Sequence, residues 1–267
     1  MQNLDGVFPA TKKNGTRYYR SSITYRRKHI SLGSFSASEA AHAAYLCARG
    51  LLDTPQSSLS DYRADSALFF EKWVVLLNFR DNGVYFPTPI YVRPHFFYYY
   101  YSPDHVLKFD ADDLFYYASH KIMKRGNHYF VADFGMQVNI VNRYGIKNYA
   151  VCGRDYRFRN GDPLDYRREN LEILNQYNGV IPLSGGSASG YLARIHINGN
   201  YVIGIYSDMT EAAIAYNKAI DILRRNGCKK NFTPNYLEQI SAGTYADIYT
   251  RLPISGKIEK LTFPSSQ

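Results

Sequence analysis

Two stretches of this chain concentrate side chains suited to gripping a polyanion. Residues 17–29 read RYYRSSITYRRKH, and Arg17, Arg20, Thr24, Arg26, Arg27, Lys28 and His29 fall within them. An arginine can grip O6 and N7 of guanine in a bidentate pair, while turn lysines and arginines suit phosphates. Residues 151–178 read VCGRDYRFRNGDPLDYRRENLEILNQYN and carry Arg157, Arg159, Arg167 and Arg168. That group fits charge-assisted phosphate binding. A third, sparser set is Arg194, His196, Asn198 and Asn200, in which asparagine can pair with adenine N6 and N7. His120, His128 and Asp155 are the groups from which a hydrolytic site could be assembled. Asn160-Gly161-Asp162-Pro163 is itself ordinary turn chemistry.

Such donors must be presented by regular elements, and the sequence repeats the same elements twice. Residues 17–45 (RYYRSSITYRRKHISLGSFSASEAAHAAY) and 190–216 (GYLARIHINGNYVIGIYSDMTEAAIAY) align without a gap beyond Gly33 and Gly204. Leu32 meets Ile203, Phe35 meets Tyr206, Ala41 meets Ala212, and Tyr45 meets Tyr216. Ile23 meets Ile195 if the first copy's turn is one residue longer. Each copy has an alternating strand, a turn, a second strand ending at the glycine, and an alanine-rich helix that allows close approach to a sheet. Ser36 and Asp208 are the expected helix caps. Asn198-Gly199 reads as a tight turn with positive φ. Alternation puts Arg20, Ser22, Thr24, Arg26, His29 and Ser31 on the outward face of copy one. In copy two it puts Leu192, Arg194, His196, Asn198, Asn200 and Val202 there.

The shared pattern G-x-Y-x-A-x-I … L-G-x-F/Y … E-A-A-x-A-Y resembles the Apetala2/ethylene-response-factor DNA-binding domain, related modules of which occur in homing endonucleases. Gly190, Tyr191, Ala193, Ile195, Gly204, Tyr206, Glu211-Ala212-Ala213 and Ala215-Tyr216 carry it in copy two. Gly6-Val7, Tyr19, Ile23, Leu32-Gly33-Ser34-Phe35 and Tyr45 carry it in copy one. The family's tryptophan is tyrosine in both. The resemblance covers residues 5–53 and 184–232 and implies a sheet laid in the major groove.

Between the copies, Asn160-Gly161-Asp162, Asp165, Arg167, Asn170-Leu171 and Asn178 resemble the core of HNH homing-type nucleases, over residues 108–180. In that family a histidine activates water and nearby acid and amide groups hold a divalent metal. Phe158 stands at the histidine's position, Arg157 at the preceding acid's, and Tyr166 replaces a customary asparagine. Phenylalanine takes no proton, and Arg157 repels a cation. The resemblance therefore implies a frame kept for shape, with no catalytic residue, metal or cofactor.

Composition agrees with a polyanionic partner. The net charge is +9, in blocks: +5 over residues 1–53, −3 over 54–116, +4 over 117–180 and +3 over 181–267. Cys47, Cys152 and Cys228 lie far apart with no CxxC pair, which excludes a cysteine zinc site, argues against a disulfide framework and suggests a reducing compartment. No signal peptide or membrane span is expected. The run Phe96–Tyr101 is read as a packed strand, with a protein-contact surface as the alternative. Residues 62–79 read as a helix with Trp73 in its core, Pro182–Ser189 as a flexible linker, and Tyr236–Tyr249 as an amphipathic helix.

The expected fold is α+β: two small three-stranded-sheet-plus-helix modules around a central HNH-like ββα-containing domain. The divisions are 1–53 (first module), 54–107 (aromatic-rich connection), 108–181 (degenerate HNH-like core), 182–235 (second module) and 236–267 (helical tail). The expected function is non-catalytic, sequence-specific binding of double-stranded DNA, by a transcriptional regulator or a mobile-element or phage-related protein. It would sit in the cytoplasm, on the nucleoid or in the nucleus, and away from membranes. The alternatives are an HNH-type endonuclease or nickase with a rebuilt site, and an aromatic-surface interaction or inhibitor module.

Overall fold

Alternating residues build the first sheet. The computed structural model describes residues 4–183 and 190–263, and its first strands are β1 (Val7–Thr11), β2 (Arg17–Tyr25) and β3 (Lys28–Phe35), antiparallel in that order. Ile23, Ile30 and Leu32 are buried, and helix α1 (Ser38–Asp53) packs on β2 and β3 with Ala41, Ala44 and Ala48 fully buried. Alanine's small side chain is what permits that close approach. Ser36 does not cap α1: Ala37 holds the cap position without a side-chain bond. One flaw sits inside this core. Ser21 is fully buried and its Oγ has no hydrogen-bond partner among the described residues. Its counterpart in the second copy is Ala193, so Ser21→Ala should raise stability by about 1 kcal/mol, read as a higher denaturant midpoint at unchanged slope.

Helix α2 (Phe70–Asn82) follows. It starts later than the expected residue 62. Ser66 turns back onto Arg63 and its hydroxyl accepts from the Leu68 amide at 3.3 Å, a local bond that competes with helix. Trp73 is half-buried and donates to Ser58 O at 3.0 Å. Strands β4 (Ile90–Val92), β5 (Phe96–Ser102) and β6 (His105–Asp110) form a second antiparallel sheet. The aromatic run occupies β5: Phe97 and Tyr99 are each 1% exposed and share a core with Leu107, Phe109 and Tyr117. Phe96, Tyr98 and Tyr100 lie half-buried on the other face, ring against ring. Helix α3 (Leu114–Ser119) leads to a third sheet, β7 (Met123–Arg125), β8 (His128–Asp133) and β9 (Met136–Asn139).

The chain divides into two compact units. The first runs to residue 140 and includes 160–170; the second holds 141–159 and everything from 171 onward. In the first, residues 164–166 bridge to β6: the Lys108 amide donates to Leu164 O, and the Tyr166 amide to Lys108 O.

The second unit opens with the pair β10 (Tyr156–Phe158) and β11 (Leu171–Ile173). A three-stranded antiparallel sheet follows, β12 (Val180–Leu183), β13 (Gly190–His196) and β14 (Asn200–Tyr206), backed by α4 (Met209–Arg225). Asp208 caps α4 as expected, accepting from the Thr210 and Glu211 amides. Pro182 and Leu183 are not linker but strand, paired with Tyr191 and Gly190; residues 184–189 lie outside the described residues. The final helices are α5 (Ala242–Arg251) and α6 (Gly256–Glu259). The expected tail helix is thus shorter than Tyr236–Tyr249, because Ser241 caps it at Thr244 N and Tyr236 remains 79% exposed ahead of it. The fold is α+β with small antiparallel sheets. Among the described residues no helix is long and apolar enough to cross a membrane.

Candidate nucleic-acid interface

The two helix-backed sheets share an unusual local geometry. Gly6 and Gly179 have φ of 73° and 71°, and a Cβ on either would overlap the ring of Tyr45 or Tyr216. Each glycine carbonyl accepts from the central strand: Ser22 N at 3.0 Å for Gly6, Arg194 N at 2.8 Å for Gly179. The register then slips at matching places, between Ser21 and Ser22 and between Ala193 and Arg194. Only glycine fits these two positions, by conformation and by space. Copy two therefore begins at Gly179-Val180, upstream of the boundary at residue 182 that the sequence suggests. The repeated Gly-Val pairs 6–7 and 179–180 were the available signal.

Registers turn this geometry into rows on the face away from each helix. In copy one the rows are Phe8–Arg20–Ser34, Ser22–Ser31 and Thr24–His29. Phe8, Arg20, Thr24, His29, Ser31 and Ser34 are exposed; Ser22 is buried in its row. In copy two the rows are Ile181–Leu192–Ile205, Arg194–Val202 and His196–Asn200. His196, Val202 and Ile205 are exposed, as is Asn200, whose Oδ1 lies 3.2 Å from His196 Nδ1. Phe8, Ser34, Ile181 and Ile205 escape a reading of the sequence because they sit on β1, β12 and the ends of β3 and β14, beyond the alternating stretches.

Other expected contact residues sit elsewhere. Arg26 is not on the outward strand face. Arg26 and Arg27 are the two central turn residues between β2 and β3, with φ of 44° and 65°. Type I′ hairpin turns need positive φ at both central positions, and arginine adopts it at a cost of about 1–2 kcal/mol. Arg26 Nη1 donates to Phe79 O at 3.1 Å, tying the turn to the end of α2. Lys28 Nζ lies 5.0 Å from the centre of the Tyr85 ring. Arg17 is exposed at the start of β2, and Lys12 and Lys13 lie in the turn before it. Among the described residues none of Lys12, Lys13, Arg17, Arg20 or Arg27 is bonded to a carboxylate. In copy two, Asn198 is in the turn, not on the strand, and accepts from Tyr201 Oη. Neither Asn198 nor Gly199 takes positive φ.

The central arginines are differently placed. Arg157 and Arg159 both face Glu172, at 2.7 and 3.6 Å, and hold its carboxyl below the usual range. Arg167 is clamped by Asp165 and Glu169. The amide of the exposed Arg168 donates to Asp110. Asp165 also accepts from Asn160 Nδ2, and Asn170 closes the same loop onto Asn160 N and Asp165 O. The acids and amides of the loop thus satisfy one another.

No protein-family model matches this chain, and no curated protein or solved structure proves similar to it.

Phe158 pairs with Leu171 across β10–β11 and meets Tyr156 edge-on. Tyr166 is buried and stacks on Phe109 at 5.6 Å. Asp155 is wholly buried, held by Arg154, Lys147, Asn175 Nδ2 and the Val151 amide, so it cannot serve a rebuilt hydrolytic site. His120 stacks on Tyr116 and lies 3.6 Å from Asp133, while His128 is exposed at the start of β8. Among the described residues no group of three or more His, Cys, Asp or Glu side chains could hold a metal ion.

Proposed function

We propose that this chain is a non-catalytic, sequence-specific binder of double-stranded DNA, with two Apetala2-like sheet modules flanking an HNH-like frame, acting as a transcriptional regulator or a mobile-element DNA binder. The observation that carries the reading is the pair of sheets with the same glycine lock, the same register slip and a helix on one side only. Each leaves one face with exposed hydrogen-bonding groups, which is what a major groove requires of a two-stranded or three-stranded reader. Copy one supports it best, because Arg20, Thr24 and His29 share a face bordered by the cations of the β1–β2 and β2–β3 turns. Phosphate contacts from those turns would set position, and strand residues would set sequence.

Selection from random duplex DNA should yield a defined site. On that site Arg20→Ala should cost about 1–3 kcal/mol and relax preference at one base pair. Lys12→Ala should weaken binding to all sequences alike. If both variants lose affinity uniformly, the face of β2 does not read bases.

A further inference from the structure

The two outward faces are built in the same register from different chemistry. Where copy one has Phe8–Arg20–Ser34, copy two has Ile181–Leu192–Ile205. Where copy one has Ser22–Ser31, copy two has Arg194–Val202. The guanine-gripping arginine is thereby replaced at the three-strand row by leucine. Ile205 and Val202 stand 61% and 53% exposed on this face. Both are branched aliphatic side chains left in water on strands whose opposite face is already packed. A sheet face needs no such residues for its own core, whose members here are Ala193, Ile195 and Ile203. In the major groove the one bulky apolar group on a base edge is the C5-methyl of thymine. The hydrogen-bonding groups on this face are half-buried Arg194, opposite Val202, and exposed Asn200 and His196; asparagine's preferred partner is adenine, the other half of the same base pair.

We propose that the β12–β14 sheet reads A·T base pairs through thymine methyl groups, with Val202 and Ile205 as the contacting side chains and Asn200 as the adenine partner. The bound duplex is then bipartite: a half read by arginine in copy one and an A·T half read by aliphatic contact in copy two. This inference rests on the DNA-binding reading above and goes beyond it in naming which bases the second face accepts.

The test uses the full chain and its selected duplex, with thymines replaced singly by deoxyuridine, which removes the methyl and leaves every hydrogen bond. Affinity should fall about fourfold per contacted methyl, the loss expected for one buried carbon. These sensitive thymines should cluster in one half of the footprint. The double variant Val202→Ser, Ile205→Ser should lose discrimination between thymine and deoxyuridine while keeping the half that depends on Arg20. Both positions are exposed, so the variant should melt like the native chain, and retention of the Arg20-dependent half reports folding independently. Tight duplex binding with no response to deoxyuridine would overturn this inference and leave the DNA-binding reading intact. Discrimination that survives the double variant would also overturn it. A double variant that changes only oligomeric state would assign the face to a protein contact instead. Absence of any duplex binding by the native chain would remove both readings together.

Discussion

Affinity for duplex DNA is expected to fall on the order of 10²-fold between ~50 and ~200 mM salt, the loss that follows from neutralising about four phosphates. The expectation comes from the state of the cations, not from their number. Lys12, Lys13, Arg17, Arg20 and Arg27 have no carboxylate partner among the described residues, so their charge is available to displace condensed counterions. Arg157 and Arg159 share Glu172, and Arg167 lies between Asp165 and Glu169, so these three should add less to the slope than the unpaired cations. Titrating a labelled duplex across a salt series gives the slope directly. Charge reversal at Lys12 and Lys13 should flatten it, whereas Arg167→Gln should leave it nearly unchanged. A slope near zero for the native chain would remove phosphate contact from the account.

Removing one buried carboxylate should cost far more than any surface change. Asp155 is wholly buried and gathers Lys147 Nζ at 2.9 Å and Arg154 Nη2 at 2.6 Å, with the Val151 amide and Asn175 Nδ2 as further donors. Its own carbonyl accepts from Leu174 and Asn175 N. Asn175 in turn donates to Val180 O on β12, the first strand of the β12–β14 sheet. Asp155→Ala would leave Lys147 facing an uncompensated cavity and should destabilise by about 3–5 kcal/mol. The effect is pH-dependent in a known sense. Burial alone would raise the Asp155 pKa, but bonds from Arg154, Lys147 and Val151 outweigh it and hold the carboxyl below its usual value. A carboxyl depressed on folding stabilises fully above its unfolded pKa, near 4, and loses that contribution as pH falls through the folded value. Urea unfolding of native chain and Asp155→Asn should therefore differ most at neutral pH and converge in acid. A gap constant to the lowest pH would show that the carboxylate's charge is not what counts.

How much of this was legible in the sequence depends on whether the cause was local. The two sheets could be read from alternation and from the alanine-rich helices, because those patterns are written along each strand and helix. The outward placement of Arg20, Thr24 and His29 follows from the same alternation. Arg26 breaks it, since its direction is set by a carbonyl on a helix fifty-three residues away. Turn chemistry misled in copy two, where Asn198 and Gly199 do without positive φ; in copy one the left-handed conformation falls on two arginines. The short strands β1 and β12 escaped notice because each contains a proline and pairs on one side only. In the stretch 151–178 the charged residues are plain in the sequence but their partners are not. Nothing local announces that Glu172 lies opposite Arg157 across a strand pair, or that Lys147 closes on Asp155.

The loop 160–170 belongs with residues before 141, although the segments on either side of it belong with the second unit. Its Leu164 and Tyr166 complete the hydrogen bonding of Lys108 on β6. Synthesis proceeds from the N-terminus, so β6 leaves the ribosome with that edge unpaired while some fifty further residues are still being added. An open strand edge beside the aromatic β5 is a template for pairing with other chains. The nascent protein thus presents an open edge in the interval between these two segments, and slow translation through residues 111–160 would lengthen its exposure.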